Sequence, residues 1–391
     1  MTMRFGLLST YPPTPCGLAT FTRALGDALG TLSGCSVFVV RSVEAVDGAS
    51  PDDVVHHLVA GDRLSQRRSA EALNAGDVAI VQHEYGIYGG SDGDELLSVL
   101  AGITIPLIVV LHTVLSRPSV RQRRVLEAVC SAANAVVVMS EAARSRLALT
   151  YRVDHSKLVV IPHGVAPSIA RHRKVATSHR ILTWGLIGRG KGIEWGIHAL
   201  ARLRDLDPAP EYLVAGQTHP RVLEAEGEAY RDSLRALAQD IGVGHLLRFD
   251  ASYRPVESMP ELIGSAEVVL LPYDNDEQVT SGVLIEAVSA GRPVVATRFP
   301  HAVELLAGGA GIVVDHGDVD AMSDGIRAIL TEPGRATSMS QVARAEAGRM
   351  LWPSVAREYA MLAGRLLSAT HRSVAGHDAV DQRRPLRTAT R

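Results

Sequence analysis

The strongest constraint on the fold is an alternation, along most of the chain, of short apolar runs with segments of helical periodicity. Many runs are rich in Val, Ile and Leu with little polar alternation, which is typical of strands buried on both faces of a parallel sheet. Strand–helix alternation of this kind predicts doubly wound α/β sheets. The predicted strands are 4–9, 36–43, 54–59, 78–83, 106–112, 135–139 and 158–161, followed by 180–187, 211–215, 246–250, 267–272, 293–297 and 311–314.

The strands fall into two series, and each series begins with a strand that runs into a glycine-containing loop, at 4–17 and at 180–192. The polar segment 162–178 between them is predicted to be an interdomain linker. A chain of 391 residues is long enough for two domains. Two such domains place a ligand cleft between the carboxyl ends of two sheets, whereas the alternative is one long sheet with an inserted loop.

Segment 277–297 carries the clearest binding signal. Thr280, Ser281 and Gly282 offer small side chains and free backbone N–H groups where a helix is predicted to begin. Such a terminus attracts anions through its unpaired donors and the helix dipole. Glu286 follows about one turn later, and Gly291 is a predicted C′ cap. A phosphate site with a carboxylate one turn along suits a nucleotide, in which the carboxylate takes the ribose hydroxyls.

The loop 185–192, Gly-Leu-Ile-Gly-Arg-Gly-Lys-Gly, nearly matches a P-loop. Gly192 replaces the hydroxyl residue that would hold magnesium, and no strand offers a convincing acidic partner for the metal. The pattern therefore disfavours a P-loop NTPase. The absence of G-x-G-x-x-G from either glycine-containing loop also disfavours a dinucleotide-dependent oxidoreductase.

Segment 277–297 resembles the donor-site signature of retaining glycosyltransferases of the GT-B fold, family 4 (group 1). That signature is Glu, seven residues, Glu, a small-residue stretch and Gly-x-Pro-Val-Val. Glu286 matches the second Glu, while Gln278 stands at the first position and Glu277 one residue earlier. Either Glu277 or Gln278 is therefore a candidate for the donor-sugar contact. The resemblance spans residues 4 to about 370, and its motifs look closest to those of bacterial mannosyltransferases.

The resemblance implies an α/β protein with two Rossmann-like doubly wound domains that face a central cleft. Residues 1–165 would form the acceptor-side domain, and residues 176–352 the nucleotide-sugar-binding domain. A final helix, 353–370, would cross back onto the first domain, as in other GT-B proteins. Residues 371–391 lack an apolar stripe and are predicted to be a disordered tail.

The resemblance also assigns roles in the donor site. Lys191 and Gly192 match the Lys-Gly of the first loop of the nucleotide-binding domain, and Arg189 stands nearby. The positive side chains of Lys191 and Arg189 would stabilise the departing diphosphate. Gly17 lies in the first loop of the N-terminal domain, where glycine permits close backbone approach. The predicted donor-binding residues are Gly17, Arg189, Gly192, Thr280, Ser281, Gly282 and Glu286.

Two motifs of the first domain complete the predicted site. His83, Glu84 and Tyr85 end one strand and suit recognition of sugar hydroxyls on the acceptor side; a subgroup of family 4 carries Gln-His-Glu at this place. His112 ends the next strand and matches a family histidine that contacts the donor sugar near the reacting centre. The predicted catalytic residues are His112, Lys191, Glu277 and Gln278, whereas His163 is expected to be structural.

The predicted activity is transfer of a hexose, with retention, from a nucleotide sugar to a saccharide or another small hydroxyl acceptor such as a polyol. GDP-mannose is the first candidate donor and UDP-glucose the second. No tightly bound cofactor and no divalent metal are called for. The alternatives are an epimerase on the same fold or a catalytically weak binding module. A phosphorylase is disfavoured, because Lys191 is the last lysine of the chain and leaves no late lysine for pyridoxal.

Composition limits partners and location. The formal net charge of −2 gives no reason to expect a nucleic-acid partner. No apolar stretch approaches the roughly 20 residues needed to span a bilayer, and the N-terminus does not resemble a signal peptide. Three cysteines without metal spacing fit a reducing cytosol, so a cytoplasmic location is predicted. The sequence leaves the oligomeric state open.

Overall fold

Two parallel sheets, one of seven strands and one of six, form the frame of the protein in a computed structural model. The structure describes residues 2–46, 48, 50–171, 179–252 and 254–381. Each of the thirteen predicted strands is present, and no predicted strand end differs from the observed one by more than three residues. The predicted α/β fold class is therefore confirmed.

The first seven strands build the first sheet and the last six build the second. Their bounds are β1 Met3–Ser9, β2 Cys35–Val43, β3 Val54–Val59, β4 Val78–His83, β5 Leu107–Leu111, β6 Ala135–Val138, β7 Leu158–Val160, β8 Arg180–Trp184, β9 Glu211–Ala215, β10 Leu247–Asp250, β11 Val268–Leu271, β12 Val294–Thr297 and β13 Gly311–Val314.

Helices separate most of these strands, as the sequence pattern predicts. Their bounds are α1 Gly17–Gly30, α2 Arg63–Leu73, α3 Leu96–Leu100, α4 Val120–Ala132, α5 Glu141–Thr150, α6 Pro167–Arg171, α7 Ile193–Ala201, α8 Pro220–Glu226, α9 Ala229–Asp240, α10 Met259–Gly264, α11 Gly282–Ser289, α12 Pro300–Leu306, α13 Val319–Thr331, α14 Arg335–Ala347 and α15 Trp352–Asp381. Short 3₁₀ turns lie at Ser91–Gly93, His155–Lys157, Val256–Ser258 and Gly348–Met350.

Strand order fixes where loops converge. The first sheet runs β3-β2-β1-β4-β5-β6-β7 and the second runs β10-β9-β8-β11-β12-β13. In both sheets the order reverses beside the first strand of the series, between β1 and β4 and between β8 and β11. Ligands of doubly wound sheets bind at such switch points, beyond the carboxyl ends of the strands. The glycine-containing loops after β1 and β8 both open at these positions.

Hydrophobic cores cover both faces of each sheet. On the first sheet, α1 packs one face through Phe21 and Leu25, while helices α2 to α5 cover the other. On the second sheet, α7, α9 and α13 cover one face, and α10, α11 and α12 cover the other. The strands are thus buried on both faces, which explains their near-continuous Val, Ile and Leu runs.

Helix α15 belongs to the first domain although it follows the second in sequence. Its apolar positions recur every three or four residues and pack with α1 and the first sheet; they are Trp352, Val355, Ala356, Tyr359, Leu362 and Ala363. The predicted disordered tail began at residue 371, but the helix runs on to Asp381. No proline interrupts the chain between Pro353 and Pro385, so the helix continues past its packed face. Residues 382–391 lie outside the described part.

The described part of the predicted linker, 162–171, packs against the second domain. Val165 N–H donates to Met350 O at 2.7 Å, and Trp352 N–H donates to Val165 O at 3.0 Å. Val165 and Ile169 pack into the core of the second domain. Residues 172–178 lie outside the described part of the chain. The crossings between the domains therefore run side by side where they leave the second domain.

Candidate functional site

The N-terminus of α11 is built from the small residues that the sequence predicts there. Ser281 caps the helix: its Oγ accepts from Leu284 N–H at 3.2 Å, and its own N–H donates to His301 Nδ1 at 2.9 Å. Thr280 Oγ1 is buried and has no hydrogen-bond partner within the described residues. At the other end of α11, Gly291 has a left-handed φ of 65°, which confirms the predicted cap.

Glu286 lies one turn into α11 and is partly buried. Its Oε2 accepts the indole N–H of Trp184, at the end of β8, at 3.0 Å. Burial raises the pKa of Glu286 to about 7, although the Trp184 hydrogen bond opposes that shift. Oε1 makes no hydrogen bond within the described residues, so one carboxylate oxygen is left for a ligand.

The loop after β8 depends on glycines for close backbone approach. Gly192 has φ of 60°, and a Cβ there would lie 1.8 Å from Pro272 O. Gly216, in the loop after β9, has φ of 146°, and a Cβ there would lie 1.8 Å from Gly185 O. Only glycine fits such contacts. The loops after β8, β9 and β11 are thereby held against one another.

Lys191 is placed by this packing. Its Nζ lies 4.2 Å from the centroid of the Tyr273 ring, just after β11, within the range of a cation–π contact. Asp274 N–H donates to Gly190 O at 3.0 Å and so ties the same two loops. Lys191 therefore stands beside the segment that leads into the N-terminus of α11. Lys191 and Glu286 both lie at the switch point of the second sheet, in the loop after β8 and in the helix after β11.

Arg189 has a partner already. Its guanidinium forms two hydrogen bonds with Glu226, at 3.1 and 2.8 Å. The Arg189 side chain is 68% exposed, so this ion pair is worth little. A role in phosphate binding would require Arg189 to exchange Glu226 for the ligand.

His112 lies at the carboxyl end of β5, beside the switch point of the first sheet. Its Nε2 is 2.7 Å from Gln82 Oε1, which accepts if that nitrogen carries the proton. Burial, reinforced by His163 and His83, lowers the pKa of His112 to about 3. The Phe21 ring of α1 meets the His112 ring edge-on at 4.8 Å. His112 is thus a neutral, oriented imidazole, and Gly17 begins the same helix as Phe21, with open space where a Cβ would be.

The three predicted acceptor-side residues differ in accessibility. His83 is only 1% exposed, and burial lowers its pKa to about 4. It therefore has almost no surface to offer an acceptor in this structure. Glu84 and Tyr85 are partly exposed. Glu84 Oε1 accepts from Tyr85 N–H at 2.9 Å, and Oε2 accepts from the Thr113 hydroxyl.

Glu277 and Gln278, the two candidates for the first Glu position, have different surroundings. Glu277 Oε2 accepts from Ser116 N–H at 2.8 Å and from Arg146 Nη1 at 2.7 Å, both in the first domain. Burial alone would raise the pKa of Glu277, but the hydrogen bonds from Ser116 and the charge of Arg146 lower it overall. The Gln278 side chain is partly exposed and makes no hydrogen bond within the described residues.

Two further histidines, His163 and His301, lie beside the N-terminus of α11. An added Cβ at Gly282 would lie 3.5 Å from His163 Nε2, and the His163 ring meets Phe21 at 5.0 Å. His163 therefore bridges the first domain and the N-terminus of α11. His301 is 4% exposed, and because its Nδ1 accepts the Ser281 N–H, its proton is on Nε2.

Two domains, each built on a doubly wound parallel sheet, are the architecture of GT-B α/β proteins. Solved structures agree: the Anabaena protein HepE in complex with UDP and glucose has a TM-score of 0.72 at 18% identity, covering 93% of this chain and 100% of that one. Sucrose-phosphate synthase from Thermosynechococcus elongatus has a TM-score of 0.72 at 19% identity, covering 94% and 100%. At these identities the likeness shows the fold.

The family follows from the sequence itself. Residues 15–169 match the model of Glycosyltransferase Family 4, and residues 178–332 match that of Glycosyl transferases group 1. The chain belongs to this glycosyltransferase family.

Curated relatives match shorter stretches. A D-inositol 3-phosphate glycosyltransferase of Corynebacterium urealyticum is 31% identical over 126 residues, 32% of this chain and 29% of that protein. A GDP-mannose-dependent alpha-(1-6)-phosphatidylinositol monomannoside mannosyltransferase of Mycolicibacterium smegmatis is 32% identical over 160 residues, 39% of each chain. The matched part is well under two thirds of the length of either relative.

The described residues also bear on membrane insertion and metal binding. Among the described residues, no helix is long and apolar enough to cross a membrane. The same residues hold no group of three or more His, Cys, Asp or Glu side chains arranged to bind a metal ion. All three cysteines, Cys16, Cys35 and Cys130, are free thiols.

Proposed function

We propose that this protein is a retaining hexosyltransferase that uses a nucleotide sugar. The observation that carries the proposal is the convergence of Lys191, the N-terminus of α11 and Glu286 at the switch point of the second sheet. A cation, a set of backbone N–H donors and a carboxylate match the diphosphate and ribose of a nucleotide.

Donor binding divides among these groups. The free Oε1 of Glu286 accepts the ribose hydroxyls, while the glycine loop around Gly192 and the N-terminus of α11 receive the diphosphate. Lys191 contributes most as the glycosidic bond breaks, because negative charge on the diphosphate grows at that moment.

The sugar end of the site uses Gln278 rather than Glu277. The carboxylate of Glu277 already accepts from Ser116 and Arg146. A hydrogen bond to a hydroxyl of the donor sugar would compete with these contacts. Gln278 has an unengaged amide, and the unpartnered Thr280 hydroxyl lies two residues on. A buried hydroxyl without a partner costs about 1–3 kcal/mol, so a ligand oxygen that pairs with Thr280 gains that amount.

His112 orients the sugar. With its pKa lowered to about 3, it is neutral at pH 7 and a poor base. The acceptor hydroxyl attacks on the face from which the diphosphate leaves, and the diphosphate takes the proton. The enzyme then supplies position and electrostatic stabilisation. Glu84 and Tyr85, which are partly exposed, bind the saccharide or polyol acceptor.

The donor is proposed to be GDP-mannose, with UDP-glucose second. The first choice is supported by the mannosyltransferase relative, whose name specifies GDP-mannose. The second is supported by the structural neighbour that was solved with UDP and glucose. The three free thiols fit activity in a reducing compartment, so the cytoplasm is the proposed location.

A donor screen followed by product analysis tests the proposal. Thermal unfolding with GDP, UDP, ADP and their hexose conjugates should show the largest stabilisation for one nucleotide; at 100 times its Kd a ligand adds about 2.7 kcal/mol. Turnover with that donor and a panel of inositol, hexose and polyol acceptors should give an α-linked product from an α-linked donor, seen in the anomeric proton coupling. A β-linked product would refute retention, and binding without any turnover would favour the weak binding module.

A further inference from the structure

The loop 277–281 of the second domain is fastened to the first domain at several points. Ser140 Oγ donates to Val279 O at 2.6 Å. The Val279 side chain is 3% exposed and lies in the hydrophobic cluster of the first domain, with Val114, Ala143 and Leu147. A residue of the second domain thus completes the core of the first.

Arg146 provides polar contacts between the first domain and loop 277–281. Its Nη1 donates to Glu277 Oε2 at 2.7 Å, to Glu277 O at 2.7 Å and to Val114 O at 3.1 Å. The side chains of Arg146 and Glu277 are 14% and 26% exposed, so this pair is far less screened than the surface pairs of the protein. The N–H and the hydroxyl of Ser116 also donate to the carboxylate of Glu277.

A second polar contact between the domains lies beside the Arg146–Glu277 pair. Glu304, on α12 of the second domain, accepts from Glu141 N–H at 3.0 Å and from Ala142 N–H at 2.8 Å. These amides begin α5, the helix that carries Arg146, and a carboxylate at a helix N-terminus is favourable. Helix α5 is therefore held against the second domain both at its first turn and at Arg146.

We propose that Arg146 and Glu277 are positioning residues that hold loop 277–281 in the shape that presents Gln278 and Thr280 to the donor sugar. The inference rests on the proposed function. Glu277 is held by Arg146 and the carbonyl of Val279 by Ser140, so the backbone of Gln278 is fixed on both sides. Domain closure and the geometry of the sugar site are thereby coupled through one ion pair.

Hydrogen exchange measures the contact without any activity. In the wild type, Ser116 N–H is bonded to Glu277 and should exchange slowly; in Arg146→Ala and Glu277→Ala, peptides that contain Ser116 should exchange at least about tenfold faster. Arg144→Ala is the matched control, because Arg144 lies on the same helix but pairs only with Glu141 of its own first turn. Exchange in the two variants that equals the Arg144→Ala control would overturn the contact in solution.

Kinetics with the full chain tests the positioning role. Arg146→Ala and Glu277→Ala should each lower kcat by about ten- to a hundredfold, which corresponds to hydrogen bonds to charged groups. The Kd of the nucleoside diphosphate should stay within about twofold, because Glu286 and the glycine loop are untouched. Arg146→Lys, which keeps the charge, should recover part of the rate.

The double variant Arg146→Ala, Glu277→Ala decides whether the two residues act together. Its loss in kcat should equal that of one single variant, whereas losses that multiply would overturn the pairing. If the wild type transfers no sugar from any donor tested, the proposed function fails, and the exchange experiment alone then decides whether Arg146 and Glu277 join the domains.

Discussion

The pKa of Glu286 leads to a pH dependence of nucleotide binding. Burial raises that pKa to about 7, against the opposing hydrogen bond from Trp184. The ionised carboxylate is the form that accepts two ribose hydroxyls. With a pKa of about 7, about one tenth of the free protein carries ionised Glu286 at pH 6 and about nine tenths at pH 8. Affinity should therefore rise with pH, by about tenfold over this range.

Three variants isolate the effect by calorimetric titration of the nucleoside diphosphate. Glu286→Gln cannot ionise, so the ratio of wild-type to Glu286→Gln affinity cancels the titration of the ligand's own phosphate and should rise about tenfold from pH 6 to 8. Trp184→Phe removes the N–H that lowers the pKa of Glu286, so the nucleotide affinity of this variant should rise at a higher pH than that of the wild type. Glu286→Ala should lose at least about tenfold at pH 8, since each hydrogen bond to a charged group is worth about 1.5–3 kcal/mol.

The reasoning would be refuted by a ratio that is flat between pH 6 and 8. A flat ratio together with a strong loss in Glu286→Ala would mean that Glu286 binds the ribose but does not titrate between pH 6 and 8, whereas a ratio that falls with pH would mean that the carboxyl binds in its protonated form. Unchanged affinity in all three variants would remove Glu286 from the nucleotide site.

Three other expectations follow from the same geometry. Lys191→Ala should lower kcat by at least about tenfold and change donor KM less, because its charge opposes the growing diphosphate charge; equal kcat and KM in steady-state assays would contradict this. Gln278→Ala should lower kcat by about tenfold and Gln278→Glu much less, measured at saturating donor; two variants with wild-type rates would mean that this side chain does not touch the sugar. Gly192→Ala should lower the free energy of unfolding by more than about 2 kcal/mol, because its Cβ would clash with Pro272 O at a φ of 60°. Gly190→Ala, with a φ of 83° but open space around it, is the control in denaturant titrations and should cost about 1 kcal/mol.

The sequence predicts the frame well because its signals are local. Strands β1 to β13 were each predicted from a few consecutive residues, and the cap at Gly291 from a single glycine. Lys191 and Glu286 were assigned to one donor site from the family resemblance, and the observed strand order places their loops at the ends of the adjacent strands β8 and β11. The strand and cap predictions need only local periodicity.

The hydrogen-bond partners of the site residues could not be predicted from local sequence patterns. Trp184 meets Glu286 and Arg146 meets Glu277 across more than a hundred residues of sequence, and no local pattern specifies such pairs. The near-complete burial of His83 likewise depends on packing from several elements. The final helix was predicted to end at residue 370, where its apolar stripe ends, whereas α15 continues to Asp381.

The return of α15 to the first domain has a consequence for biosynthesis. Residues up to about 161 are synthesised before the second domain, but Phe21 and Leu25 lack their Trp352 and Tyr359 partners until α15 has been made. At about 5–20 residues per second, that interval lasts roughly 10–40 s. During it, the second domain is synthesised, while the part of α1 and of the first sheet that packs against α15 stays uncovered. The nascent first domain is therefore the part of the protein that most needs a chaperone.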